Sequence, residues 1–128
     1  MVSDRAPGHT RWFIPDCYLP QDSSDKGDLI SHESCCILNA GTTDARCRLT
    51  LYFEDRDPLR DVEVTVGAER CWHVRFDRLE AIAGVHIPRD VPYGLGIQSD
   101  HNIVVQHSRL DSRTGNIAYM TVMGYAQD

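Results

Sequence analysis

Apolar and polar residues alternate with a period of two over much of the chain. Cys47, Leu49, Leu51 and Phe53 fall on one face of a segment whose other face carries Arg48, Thr50 and Tyr52. Val62, Val64 and Val66 alternate with Glu63 and Thr65, and Trp72, Val74 and Phe76 alternate with Cys71, His73 and Arg75. This spacing predicts strands half buried in a sheet. Residues 11–14 form a short apolar segment that stops at Pro15. Residues 34–39 form another, closed by the turn signal Ala40-Gly41. Residues 94–98 and 103–108 are separated by Ser99-Asp100-His101-Asn102, which reads as a hairpin loop. Residues 117–125 are apolar on both faces, as in a central strand or one buried against another subunit. Only residues 78–83 leave room for a turn of helix. Turn-rich stretches lie at 22–28, 55–60 and 87–94.

About eight short strands at this spacing predict an all-β, single-domain sandwich over residues 1–128. There is no internal repeat and no linker. A chain of 128 residues buries a core without disulfide or metal staples. Its 41% hydrophobic and 25% charged content is that of an ordinary globular protein.

The formal net charge of −6 opposes general nucleic-acid binding, because an acidic surface repels phosphate backbones. Anionic membrane surfaces are disfavoured for the same reason. No apolar run approaches the roughly 20 residues of a membrane span, and the first 24 residues do not read as a signal peptide. The expected location is the cytoplasm. Five cysteines, Cys17, Cys35, Cys36, Cys47 and Cys71, include no CxxC pair. They read as small buried hydrophobes in a reducing compartment, not as a disulfide framework or a metal site.

No recognised catalytic motif is present: no Gly-rich phosphate loop, no GxSxG and no HExxH. What stands out is a set of polar residues inside or beside apolar strands. Ser31-His32-Glu33 precedes the 34–39 segment. His73 and Arg75, two apart, leave the same face of one strand. Gln106, His107, Arg109 and Asp111 follow the apolar Ile103-Val104-Val105. Arg supplies a planar fork of donors, and His and Gln supply mixed donors and acceptors. Such a set suits a polyol or a small anion. Each piece also has a plain structural reading. His73 and Arg75 fit a solvated strand face, and Glu33 fits a buried charge paired with an arginine. His107 fits a satisfied core histidine, and Arg109 with Asp111 fits a pinned loop. A metal-dependent enzyme built on His32, Glu33, His73 and His107 is an alternative, although these residues come from three separate strands without local ligand spacing. No cofactor is expected.

The run Ile30-Ser31-His32-Glu33, then Cys36-Ile37-Leu38-Asn39-Ala40-Gly41, resembles the sensory rhodopsin transducer family. So do His73-Val74-Arg75-Phe76, Ile87-Pro88, Ile97-Gln98-Ser99 and, most specifically, the segment 103–113. The opening 12–20 and closing 117–126 segments are similar as well. The resemblance implies a small soluble all-β domain that assembles as a homotetramer and acts without enzymatic chemistry. It implies a membrane photoreceptor as one partner and a small ligand such as a sugar as another. The polar positions it implies are His32, Glu33, His73, Arg75, Gln106, His107, Arg109 and Asp111. Cys17 stands where the family usually has Gly; a positive φ there would strain it. The acidic segment 22–28 is a second departure.

Overall fold

The computed structural model describes residues 5–21 and 29–127. Eight strands follow in order: β1 (His9–Cys17), β2 (His32–Asn39), β3 (Ala45–Phe53), β4 (Leu59–Val66), β5 (Arg70–Arg75), β6 (Tyr93–Asp111), β7 (Ala118–Met123) and β8 (Tyr125–Gln127). A 3-10 turn at Phe76–Arg78 and a five-residue helix α1 (Leu79–Ala83) lie between β5 and β6. All ladders are antiparallel, and the molecule is an all-β fold of the small-sandwich type. Among the described residues no helix is long and apolar enough to cross a membrane.

One strand organises the rest. The first half of β6 pairs with β3 and β1, giving sheet A in the order β4-β3-β6-β1-β8. Its second half pairs with β2 and β7, giving sheet B in the order β5-β2-β6-β7. The hairpin expected at residues 99–102 is therefore not formed: β6 runs unbroken for 19 residues. Its polar residues hold a bend between sheets instead. The Asp100 carboxylate accepts the Arg46 amide at 2.8 Å, and the Asn102 side-chain amide donates to the Ala6 carbonyl at 2.9 Å. Opposite the bend, the β1–β6 register jumps between His9↔Ile103 and Arg11↔Gln98, so the additional β6 residues bulge. Trp12 Nε1 clasps this point, donating to the carbonyls of His9 and Ile103 at 3.0 Å each. Gly8, at φ +107°, crosses so close to the Ile103 carbonyl that a Cβ would lie 2.0 Å from its oxygen.

The inward positions of both sheets form one core. Leu49, Leu51, Leu95, Ile97, Ile103 and Val105 are buried in it together with Val62, Val74 and Phe76. Each large apolar side chain so buried contributes about 1.5–3 kcal/mol. Asn39, also buried, is fully used: its amide donates to Thr43, Val66 and Gly67 carbonyls, and its Oδ1 accepts the Gly41 amide at 3.0 Å. That explains the turn that closes β2.

Two further expectations change. The strand read over 117–125 divides at Gly124 into β7 and β8. All of β7 is exposed, because β7 pairs only with β6 and forms the edge of sheet B; it is not central. Cys17 is buried in β1 and unstrained: the non-glycine residues with positive φ among those described are Asp61, Glu69 and Asp90. The acidic segment 22–28 lies outside the described residues.

Candidate functional site

Strand parity divides the eight candidate residues between the two faces of sheet B. His32 and Glu33 are neighbours on β2, and Gln106 and His107 are neighbours on β6, so each pair splits across the sheet. Glu33, His107 and Arg109 meet on the core side. His32, His73, Arg75 and Gln106 meet on the outer side. The two sets therefore do not line one pocket. Asp111 joins neither: its carboxylate pairs with Arg113 at 2.7 Å and accepts the Arg113 amide at 3.0 Å, pinning the chain after β6.

The core-side group is centred on Glu33, which has no exposed surface. Its Oε1 accepts the Tyr93 hydroxyl at 2.6 Å. Its Oε2 accepts the Tyr18 amide at 2.8 Å, His107 Nε2 at 3.0 Å and Arg109 Nε at 3.2 Å. Burial pushes this carboxyl upward, but the hydrogen bond and charge of His107, with those from Tyr18 and Tyr93, outweigh burial. The net pKa lies below the ordinary carboxylate value. Burial, and then the neighbouring Glu33 charge, push the Tyr93 hydroxyl well above its ordinary value. Arg109 extends the group outward, with its guanidinium over the Tyr18 ring and a contact to Asp16 at 3.5 Å.

Cys17, Glu33 and His107 place ligand-type atoms within 4.8 Å of one another. Their chemistry fits a metal ion poorly. Glu33 already accepts four donors, the Arg109 guanidinium among them, and burial pushes the Cys17 thiol far toward its protonated form. The trio acts as a packed ionic knot.

The outer group forms a shallow site of about 340 Å³. Ladder registers set its rows. His73, Cys36, Gln106 and Met123 lie abreast on β5, β2, β6 and β7; Arg75, Ser34, Ser108 and Thr121 form the next row. His32, Leu110 and Tyr119 close one end. Four hydroxyls, an amide, two imidazoles and the Arg75 guanidinium thus line one concavity. The Gln106 amide donates to Thr121 Oγ1, and Thr121 donates on to the His107 carbonyl at 3.3 Å. The Nδ1–H of His32 donates to the Ile30 carbonyl at 2.7 Å, which directs Nε2 away from the backbone. Arg75 is matched by Asp77 through two bonds of 2.8 and 2.7 Å. Burial raises the Asp77 carboxyl, but the bonds and charge from Arg75 bring its pKa below the ordinary value.

Tyr93 and Asp77, the partners that fix Glu33 and Arg75, are not among the candidates read from sequence, and neither are Ser34, Ser108, Tyr119 and Thr121. Period-two parity from His32 and Gln106 reaches Ser34 and Ser108. Asp77 lies two residues after Arg75, so that pairing is local in sequence; Tyr93, Tyr119 and Thr121 depend on contacts between distant segments and carry no local signal.

The family model described as "Anabaena sensory rhodopsin transducer" matches residues 7–126. A solved Thermotoga maritima structure, "Thermotoga maritima 1070", is 36% identical over 95% of this chain and 97% of its own, with a TM-score of 0.84. The solved Anabaena sensory rhodopsin transducer is 43% identical over 84% of this chain and 93% of its own, with a TM-score of 0.73. No match is found among curated proteins. A family match over nearly the full chain, joined to the same fold at these identities, shows that this chain belongs to the Anabaena sensory rhodopsin transducer family.

Proposed function

We propose that the protein is a non-enzymatic, cytoplasmic binding module of the transducer family, and that the outer face of sheet B takes a neutral, polyhydroxylated molecule of sugar size. The observation that carries this reading is the convergence of side chains from β2, β5, β6 and β7 on one polar concavity. Its size falls at the low end of small-ligand sites. Hydroxyl, amide and imidazole groups match the mixed donor-acceptor pattern of a polyol, and the exposed Tyr119 ring supplies an apolar flank. The Asp77 carboxylate neutralises Arg75, which favours a neutral ligand over an anion. Calorimetric and thermal-shift titration with neutral sugars, their sugar acids and inorganic phosphate tests this reading. A concentration-dependent rise in Tm with a neutral sugar, lost in His73→Ala and Gln106→Ala, is the expected result. No rise with any neutral polyol overturns it.

A second, compatible reading has the protein relay a signal through protein contacts, as a homotetramer and as the partner of a membrane photoreceptor. It is supported by family membership and by the apolar side chains of Tyr119, Met120, Val122, Met123 and Tyr125, all exposed. Capture of a detergent-solubilised sensory rhodopsin by the purified protein, at a stoichiometry set by its oligomeric state, tests this reading. The metal-dependent enzyme alternative has less support, because the sheet separates His32 and His73 from Glu33 and His107. Elemental analysis of the purified protein tests it.

A further inference from the structure

A second concavity, of about 200 Å³, lies on the outer face of sheet A, away from the sheet B site. Three arginines reach it: Arg11 from β1, Arg48 from β3 and Arg60 from β4. Arg11 and Arg48 stand on either side of Gln98 in the ladders and so form one cationic row. In the adjoining row Gly96 separates Phe13 from Thr50. The Phe13 and Tyr52 rings lean over Gly96 so closely that a Cβ there would lie 3.3 and 3.2 Å from them. The result is a notch whose floor over Gly96 is closed by two aromatic rings and whose border carries guanidinium groups.

The charge is only partly compensated. Elsewhere Arg56, Arg75, Arg109 and Arg113 each pair with a carboxylate. Among the described residues Arg11, Arg48 and Arg60 have no ion-pair partner, and the contact Arg11 makes is with the Phe13 ring at 5.7 Å. Glu63 stands opposite Arg48 in the β3–β4 ladder without reaching ion-pair distance. One carboxylate, that of Asp61, borders the notch, so the lining keeps an excess of two positive charges. Asp61 sits at φ +60°, beside the register shift between Leu49 and Leu51, and this irregularity re-aims β4 at the notch. Three guanidiniums without ion-pair partners lining one notch, on a chain of net charge −6, form a localised anion-attracting field.

We propose that this notch is a binding site for a small oxyanion carried on a flat ring. The ring lies on the outward side of Phe13 and Tyr52, which close over Gly96 and offer it an aromatic platform. The carboxylate or phosphate takes the planar forks of Arg11 and Arg48, with Arg60 closing the field from β4. An aromatic carboxylate and a mononucleotide share this chemistry, and the test separates them.

The probes are 4-hydroxybenzoate, adenosine 5′-monophosphate, inorganic phosphate and benzyl alcohol, titrated into the full chain and followed by amide NMR and calorimetry. At least one of the two ring-bearing anions is expected to saturate and to move the Gly96 amide resonance. Inorganic phosphate and benzyl alcohol are expected to bind at least about tenfold more weakly, because each supplies half of the recognition. Arg48→Gln and Tyr52→Ala, both at exposed positions, are expected to weaken binding by about tenfold or more while the amide spectrum stays folded. His73→Ala, on the other sheet, is expected to leave it unchanged. Saturation by 4-hydroxybenzoate alone assigns the site to aromatic carboxylates, and saturation by the nucleotide alone assigns it to ring-bearing phosphates. The proposal is overturned if neither ring-bearing anion binds, if inorganic phosphate binds as tightly as they do, or if Arg48→Gln leaves affinity intact.

Discussion

Glu33 Oε2 and His107 Nε2 meet at 3.0 Å across neighbouring antiparallel strands, in an interior where Glu33 is fully buried and His107 is 3% exposed. The carboxylate is held by four donors from β1–β2 flanking chain and β6, so it ties both halves of the sandwich to sheet B. Glu33→Gln replaces an acceptor with a group that must present an amide to cationic or N–H donors. The expected loss is about 3–5 kcal/mol, the usual cost of breaking a buried pair from one side. Tyr93→Phe removes one bond to the charged oxygen and should cost about 1.5–3 kcal/mol. Urea unfolding midpoints at constant m-value measure both; a change in Glu33→Gln within error of zero would refute the knot.

Acid should unfold the protein through the same group. The folded pKa of Glu33 lies below its ordinary 4.5, as does that of Asp77 below 3.8. Stability from a depressed carboxyl is fully present above the unfolded value and is lost as pH falls through the folded value. Thermal melts from neutrality downward should therefore hold level and then decline below 4.5. In Glu33→Gln that decline should be shallower. An equally steep decline in the variant would assign the acid limb to other carboxylates.

The thiols should react in a graded order. Cys71 is exposed, Cys36 is partly buried, and Cys17, Cys35 and Cys47 are buried. Burial also pushes the buried thiols upward in pKa, which lowers the reactive thiolate fraction. An aromatic disulfide reagent should modify Cys71 at once and Cys36 slowly, with the other three reacting only on unfolding. Rapid modification of all five under native conditions would contradict the packing of β1, β2 and β3.

If the outer face of sheet B selects neutral ligands because Asp77 occupies Arg75, then Asp77→Asn should change its preference. The variant should gain affinity for a sugar acid relative to the parent sugar, by about tenfold or more for a freed charge-assisted contact. Paired calorimetric titrations read the ratio directly. An unchanged ratio would mean that Arg75 takes no part in ligand choice.

If the chain self-associates as proposed, the exposed strand β7 is the seat to test. Val122 and Met120 project from one face of it and Met123 and Tyr119 from the other. Val122→Glu should shift the sedimentation profile toward single chains, since it places a charge in an apolar contact. The circular dichroism spectrum should remain that of the folded domain, because β7 lies outside the core. An unaltered profile would move the contact to another face.

Much of the strand pattern was legible locally. Alternation alone located β3, β4 and β5, because side chains on a strand change face at every residue whatever the strand later pairs with. It likewise put His73 and Arg75 on one face, and the polar runs around His32 and Gln106 marked sheet B as the chemically unusual part. A single set of His32, Glu33, Gln106 and His107, as expected from sequence, overlooks the same parity: the structure puts Glu33 and His107 on the opposite face of sheet B from His32 and Gln106.

Other features have no local cause. Ser99-Asp100-His101-Asn102 has the composition of a turn, yet partners distant in sequence, Arg46 and Ala6, hold it as a bend in one long strand. Whether the apolar run after residue 117 is central or at an edge depends on which strand pairs beside β6. The carboxylate of Glu33 is satisfied by groups up to 76 residues away. The notch at Gly96 arises because three strands bring Phe13 and Tyr52 to either side of one missing side chain. Periodicity follows from the geometry of a single strand and can be read from neighbouring residues. Register and sheet order follow from hydrogen bonding between segments far apart in the chain, so they emerge only when the whole chain is folded.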